Sequence, residues 1–136
     1  MDLYRSMKIS ATGMKAQGTR LRVISENLAN TNSTAPNPGA SPYRRKVIMF
    51  RDELDRDLGV NTVRVSKIDE DKKPFQLRYE PSHPAANADG YVLYPNVNSL
   101  IEMADMREAQ RTYEANLNVL DTSRTMIQRA LGVLRS

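Results

Sequence analysis

Apolar side chains recur every seven residues at both ends of this chain and alternate in short runs between them. From Asn98 to Leu134 they fall on two tracks, Met106, Tyr113, Leu120, Ile127 and Leu134 on one, Met103, Leu117 and Leu131 on the other. This spacing predicts one long helix with a seam. Gln110 and Arg124 interrupt the second track, so the seam tolerates polar contacts and suits an intermolecular interface as well as a dry core. At about 1.5 Å per residue the helix is a rod of roughly 55 Å, longer than so small a chain needs to cover its own core. A partner is implied. Asn98 or Ser99 can cap its start, and Glu102, three residues beyond Ser99, would complete a capping box.

The other end repeats the pattern. Between Leu3 and about Ala29, Met7, Met14, Leu21 and Leu28 stand seven apart with Leu3 and Ile24 alongside, predicting a second partner-seeking helix. Ala11, Gly18 and Ser25 form a track of small residues that would let another helix come close, although Gly18 costs about 1 kcal/mol of helix propensity. Met7 and Met14 read as adaptable packing rather than as ligands.

Short polar side chains followed by Pro36, Pro38, Gly39 and Pro42 end this helix near Thr31, in what composition alone would make an ordinary linker. The middle then turns β-like, with runs at Tyr43–Phe50, Thr62–Ile68, Phe75–Tyr79 (alternating at Phe75, Leu77 and Tyr79) and Tyr91–Tyr94. Phe50, Leu54 and Leu58 at four-residue steps predict one or two helical turns stopped by Gly59, Asp89-Gly90 signals a turn, and Asp69 to Lys73 reads as a solvated loop. The expected fold is mainly α with a small β-rich insert: an N-terminal helical segment over 1–32, a β-rich piece over 33–97 and a C-terminal helix over 98–136, the two long helices pairing as a coiled coil.

Charge changes this picture little. The net charge of +4 divides into +3 before Thr31, +1 from there to Val97 and zero beyond, and Arg44, Arg45 and Lys46 beside Tyr43 form the only tight basic group. That is thin for a nucleic-acid surface and equally expected of a strand edge guarded by charge. With no cysteine there are neither disulfides nor thiolate metal sites. No apolar run is long enough to span a bilayer, and Arg5, Lys8 and Lys15 break up any candidate signal peptide. The one histidine, His83 between Ser82 and Pro84, has no second metal ligand at a useful spacing and reads as a turn residue. Phosphate loops and nucleophile elbows are absent, and the paired carboxylates lie in polar stretches that would not tune an acid. No catalytic residue, cofactor or small-molecule substrate is therefore expected.

Several motifs fall in a telling order: Ser25, Glu26, Asn27, Leu28, Ala29 and Asn30 after the first helix; Pro42-Tyr-Arg-Arg-Lys; Tyr79-Glu-Pro-Ser-His-Pro; Gly90, Tyr91, Val92, Leu93, Tyr94, Pro95 and Asn96; Glu102-Met-Ala-Asp-Met; and Tyr113-Glu-Ala-Asn. Together they resemble the bacterial flagellar axial proteins, rod and hook, nearly end to end. The first motif is common to that whole group, while the block from Gly90 onward and the short length point to its proximal-rod members. The resemblance implies a non-catalytic subunit of the drive shaft in the periplasm, exported uncleaved by the flagellar type III system. It further implies pairing of the terminal helices in the wall around the export channel, contacts with other rod proteins and with copies of itself, and contact with the membrane ring and export apparatus. A soluble coiled-coil adaptor and a basic nucleic-acid binder are the alternatives, betrayed respectively by a discrete oligomer and by salt-sensitive DNA binding.

Overall fold

The computed structural model describes residues 2–136. Helix α1 covers Asp2–Ala29 and helix α2 Ser99–Arg135; between them lie strands β1 (Lys46–Asp55), β2 (Val60–Glu70), β3 (Gln76–Tyr79) and β4 (Tyr91–Tyr94). β1 pairs with β2 and β3 with β4, as two separate two-stranded sheets. Both helices and the first hairpin run through two compact units.

One unit holds α1 through Leu21, the distal hairpin from Met49 to Lys67, and α2 from Arg107 onward. The expected helical turns at Phe50, Leu54 and Leu58 are not formed, because Phe50 and Leu54 belong to β1. A four-residue step is an even number, so it keeps side chains on one face of a strand as well as on one side of a helix. Leu58 falls in the turn instead. There the Asp55 carboxylate accepts hydrogen bonds from the backbone N–H groups of Asp57 (3.1 Å) and Leu58 (3.2 Å), and Gly59, at φ +66°, donates to the Asp55 carbonyl at 2.8 Å. Within this unit α1 and α2 run antiparallel, for Gly13 approaches Asn116 while Arg20, further along α1, reaches back to Glu108.

The other unit comprises Arg22–Ile48 and Ile68–Met106. β3 and β4 are antiparallel in the register Gln76 to Tyr94, Leu77 to Leu93, Arg78 to Val92 and Tyr79 to Tyr91. Val92 and Tyr94 point inward and form a small core with Ala35 and Ala85. Leu77 and Tyr79 do share a face, as their alternation predicts, but it is the exposed one, where they oppose Leu93 and Tyr91. Gly90, at φ +85°, makes the turn before β4, and a Cβ there would stand 2.8 Å from the Tyr79 ring, so glycine is needed on both counts.

The polar stretch after α1 is folded rather than a loose linker. Asn30 caps the helix by donating from its amide to the Glu26 carbonyl at 2.8 Å, Tyr43 N–H bonds the Ser33 carbonyl at 3.0 Å, and Ala35 enters the core. His83 serves its turn by accepting the Ala85 N–H at Nδ1, 3.0 Å away. At the start of α2, Asn98 is the cap, its side-chain oxygen taking the N–H groups of Leu100 and Ile101. Glu102 makes no capping box with Ser99; its carboxylate is 1 % exposed and turned inward.

Candidate assembly interface

Asn27 and Glu102 meet where α1 ends and α2 begins, and both side chains are 1 % exposed. A carboxamide offers two donors and two acceptor positions, and Asn27 uses all four. Its Nδ2 donates to the Lys46 carbonyl (2.9 Å) and to Glu102 Oε2 (3.4 Å), while its Oδ1 accepts the Lys46 N–H (2.9 Å) and the Tyr43 hydroxyl (2.7 Å). The amide therefore binds both backbone groups of Lys46, as a neighbouring strand would. Burial, with the charges of Glu26 and Glu102 nearby, raises the Tyr43 hydroxyl above its ordinary pKa and keeps it a donor.

Arg45 supplies the charge that Glu102 needs. Its Nε donates to Glu102 Oε1, one terminal nitrogen bonds Asp71 at 3.1 Å, and the other lies 3.8 Å from Asp105. Burial works against the guanidinium, but the bonds to Glu102 and Asp71 outweigh it and raise the Arg45 pKa. Asp71, read from the sequence as part of a solvated loop, is held here from two sides. Lys73 N–H bonds its carboxylate at 2.9 Å and Arg45 pairs with it, which together lower its pKa despite partial burial. Asn96 closes the ring by accepting the Arg45 N–H (2.7 Å) and donating to the carbonyls of Asp71 and Lys73.

The basic group Arg44, Arg45 and Lys46 is thus spent within the subunit. Arg44 donates to the Asp71 and Lys73 carbonyls and lies 4.1 Å from the centre of the Phe75 ring, and Lys46 bonds Glu26 at 3.0 Å. That last bond, followed by the nearby charge of Arg22, holds the Glu26 carboxyl below its ordinary range.

The heptad positions separate into two sets. On α2 the inward side repeats every seven residues along Met106, Tyr113, Leu120 and Ile127, as expected, but its second track is Glu102, Ala109, Asn116 and Ser123. Met103, Leu117 and Leu131, placed on the seam by their spacing, stand exposed beside it, as does Leu134. The inward second track is polar or small, and its apolar neighbours one residue on carry the same repeat along an exposed side of the helix. Met7, Met14, Leu21 and Leu28 of α1 are all half-buried, while Ser10, Ala16, Val23, Ile24 and Asn27 lie deeper; on the small-residue track Ala11 and Ser25 are exposed. Of the motif residues, Asn27, Gly90, Tyr94, Pro95 and Asn96 do structural work, Glu26 and Leu28 flank the clasp, and Ser25 and Ala29 face solvent. Tyr43, Arg45, Asp71 and Glu102 were missed as a group. The signal for Glu102 was its place in the series 102, 109, 116, 123.

The start of α2 is thus held in a closed polar network, while apolar side chains further along the same helix stay exposed. The comparisons agree on the class. The family model described as "Flagella basal body rod protein" matches residues 7–35, and that described as "Flagellar basal body rod FlgEFG protein C-terminal" matches residues 88–133. Among curated relatives, the flagellar basal-body rod protein FlgC of Agrobacterium fabrum is 48 % identical over 134 residues, covering 98 % of this chain and 96 % of its own. The FlgC proteins of Borreliella burgdorferi (40 % identical, 99 % of each chain) and Salmonella typhimurium (37 %, covering 96 % of this chain and 97 % of that one) match as fully. The chain belongs to the FlgC family of flagellar basal-body rod proteins and is a structural subunit of that rod.

Proposed function

We propose that the subunit polymerises through its terminal helices into the proximal part of the rod, a drive shaft that transmits torque and surrounds the export channel. In this reading residues 1–32 and 98–136 form the helical wall, pairing as a coiled coil, and residues 33–97 form a β-rich domain outside it. The subunit does no chemistry. Its partners are other rod proteins, copies of itself and the membrane ring with its export apparatus, and it reaches the periplasm through the flagellar type III system with no segment removed.

The observation that carries this reading is the set of apolar side chains that α2 leaves exposed. Leu117 and Leu131 on one flank of the helix, and Val119, Met126 and Val133 on the other, are exposed in the single subunit, as is Leu134, and apolar exposure of this kind on a rod-family chain calls for neighbours. Contacts that join unlike faces of successive copies propagate into helical tubes instead of closing. Leu117→Asp tests it, since an interfacial charge would carry a desolvation cost of several kcal/mol while removing no hydrogen bond or ion pair between α1 and α2. The variant should be exported at normal levels, be missing from purified basal bodies and leave cells non-motile. Normal swimming would show that this face is free in the assembly.

A further inference from the structure

Apolar heptads do not say where one helix must lie along another. Met7, Met14, Leu21 and Leu28 follow at equal steps, as do Met106, Tyr113, Leu120 and Ile127, so a slip of one heptad, about 10 Å, trades each contact for a near equivalent. The polar and small positions between them are not interchangeable. We propose that Gly13 with Asn116 and Asn27 with Glu102 are register locks, which hold α1 against α2 at a single stagger.

Each lock sits within one of the two units. In the first, a Cβ added to Gly13 would stand 2.9 Å from Asn116 Nδ2, so the Asn116 side chain rests in the room that glycine leaves and would have to shift for any larger residue. The α1 residues one heptad away are Ser6 and Arg20, and a slip in either direction sets one of these larger side chains against Asn116. In the second, a slip one way brings Ala109 opposite Asn27, and a slip the other way carries Asn27 beyond the first turn of α2. Both break the bond between Asn27 and Glu102 and leave a buried amide short of partners. The ion pair between Arg20 and Glu108 contributes little to the choice, because Glu108 is largely in solvent and Glu102 would offer Arg20 a carboxylate after one such slip. A buried polar residue in a helix seam acts in this way elsewhere, giving up some stability to specify register.

The chain contains no cysteine, so introduced pairs report the stagger directly. In the full-length chain, Arg20→Cys with Glu108→Cys reads the native register, and Arg20→Cys with Ala115→Cys or with Ile101→Cys reads a slip of one heptad in either direction. With the seam intact, oxidation should close the 20–108 bridge within one chain in at least about tenfold excess over both slipped pairs. In an Asn27→Ala/Asn116→Ala background the slipped pairs should rise to within about threefold of the native one. If the 20–108 bridge keeps its excess there, the apolar tracks set the register and the locks do nothing. If that bridge links two chains, or a slipped pair closes in preference to it, while the seam is intact, the helix pairing beneath the proposal is wrong, whatever becomes of the rod reading. Should the doubly substituted chain not fold, Asn116→Ala alone leaves the Asn27 amide in place. Slipped bridges should then rise severalfold, and an unchanged ratio would overturn the first lock.

Discussion

The two ends of α2 are built on opposite terms. At its start a carboxylate is enclosed almost completely, and an arginine and an asparagine side chain satisfy it. At its end Val133 is 74 % and Leu134 83 % exposed, and little of any described residue covers them. The usual arrangement, apolar inside and polar outside, is inverted along a single helix. The inversion separates the part of the molecule that completes its own structure from the part that the proposed assembly would cover. A buried ion pair tolerates no missing member, whereas exposed leucines wait for a partner at small cost to the monomer.

Removing one member of the clasp should therefore have the largest effect. Arg45→Met leaves the Glu102 carboxylate buried beside an apolar side chain, and we expect a loss of about 3 kcal/mol or more, since stripping one partner from a buried pair exposes the full desolvation penalty of the other. The same replacement near the far end, Arg129→Met, removes an equal charge from an exposed position and should stay within about 0.5 kcal/mol. Urea midpoints of the two variants give the comparison. Equal shifts would mean that the clasp is not the closed network its geometry describes.

Acid should weaken the clasp in a milder and graded way. Glu26 and Asp71 both have carboxyl pKa values below the ordinary range, Glu26 chiefly through the bond from Lys46 and Asp71 chiefly through the backbone N–H of Lys73, with Arg45 assisting. A group whose folded pKa is depressed adds stability above its unfolded pKa and loses it as pH falls through the folded one. Stability should accordingly decline from about pH 4 downward, where carboxylates of the unfolded chain already bind protons and these two do not. Asp71→Asn should start lower at neutral pH and decline less steeply. Urea midpoints measured from pH 6 to pH 2.5 would show it, and parallel curves for the two proteins would remove Asp71 from the explanation.

The same contrast explains which parts of the molecule could be read from the sequence. Both helices, their limits, the places of the four strands and the turn at Gly90 follow from local rules, the spacing of apolar residues and the placement of Asn, Gly and Pro. The bonds that Asn27 makes in the clasp join residues 16 to 75 positions apart, and no period in the sequence links Asn27 to Lys46 or to Glu102. Glu102 was legible only as a possible cap, because helix-start chemistry and core chemistry use the same residue types. Phe50 and Leu54 were misread because a four-residue step serves both geometries. The inward track of Glu, Ala, Asn and Ser was not legible because a search for apolar heptads cannot see it, and the track that search does find, Met103, Leu117 and Leu131, lies on an exposed side.

The smallest expected effect on the free subunit belongs to the exposed tip. Leu131→Ser, Val133→Ser and Leu134→Ser together remove three apolar side chains, yet each is already more than half in solvent, so little burial is lost. Serine is a poorer helix former than leucine by a few tenths of a kcal/mol, and a helix end frays readily, so the triple change should cost about 1 kcal/mol at most. In the rod the outcome should reverse. If these side chains meet a neighbouring subunit, their burial contributes there, and losing all three should strip the subunit from basal bodies while the urea midpoint of the free chain barely moves. Both readings come from one protein: denaturation of the purified subunit, and its abundance in basal bodies relative to a rod protein left unchanged. A large fall in the subunit's own stability would mean that the tip of α2 folds back onto its own chain. Full incorporation would mean that the tip stays in solvent even in the assembly, and the inversion along α2 would then need another cause.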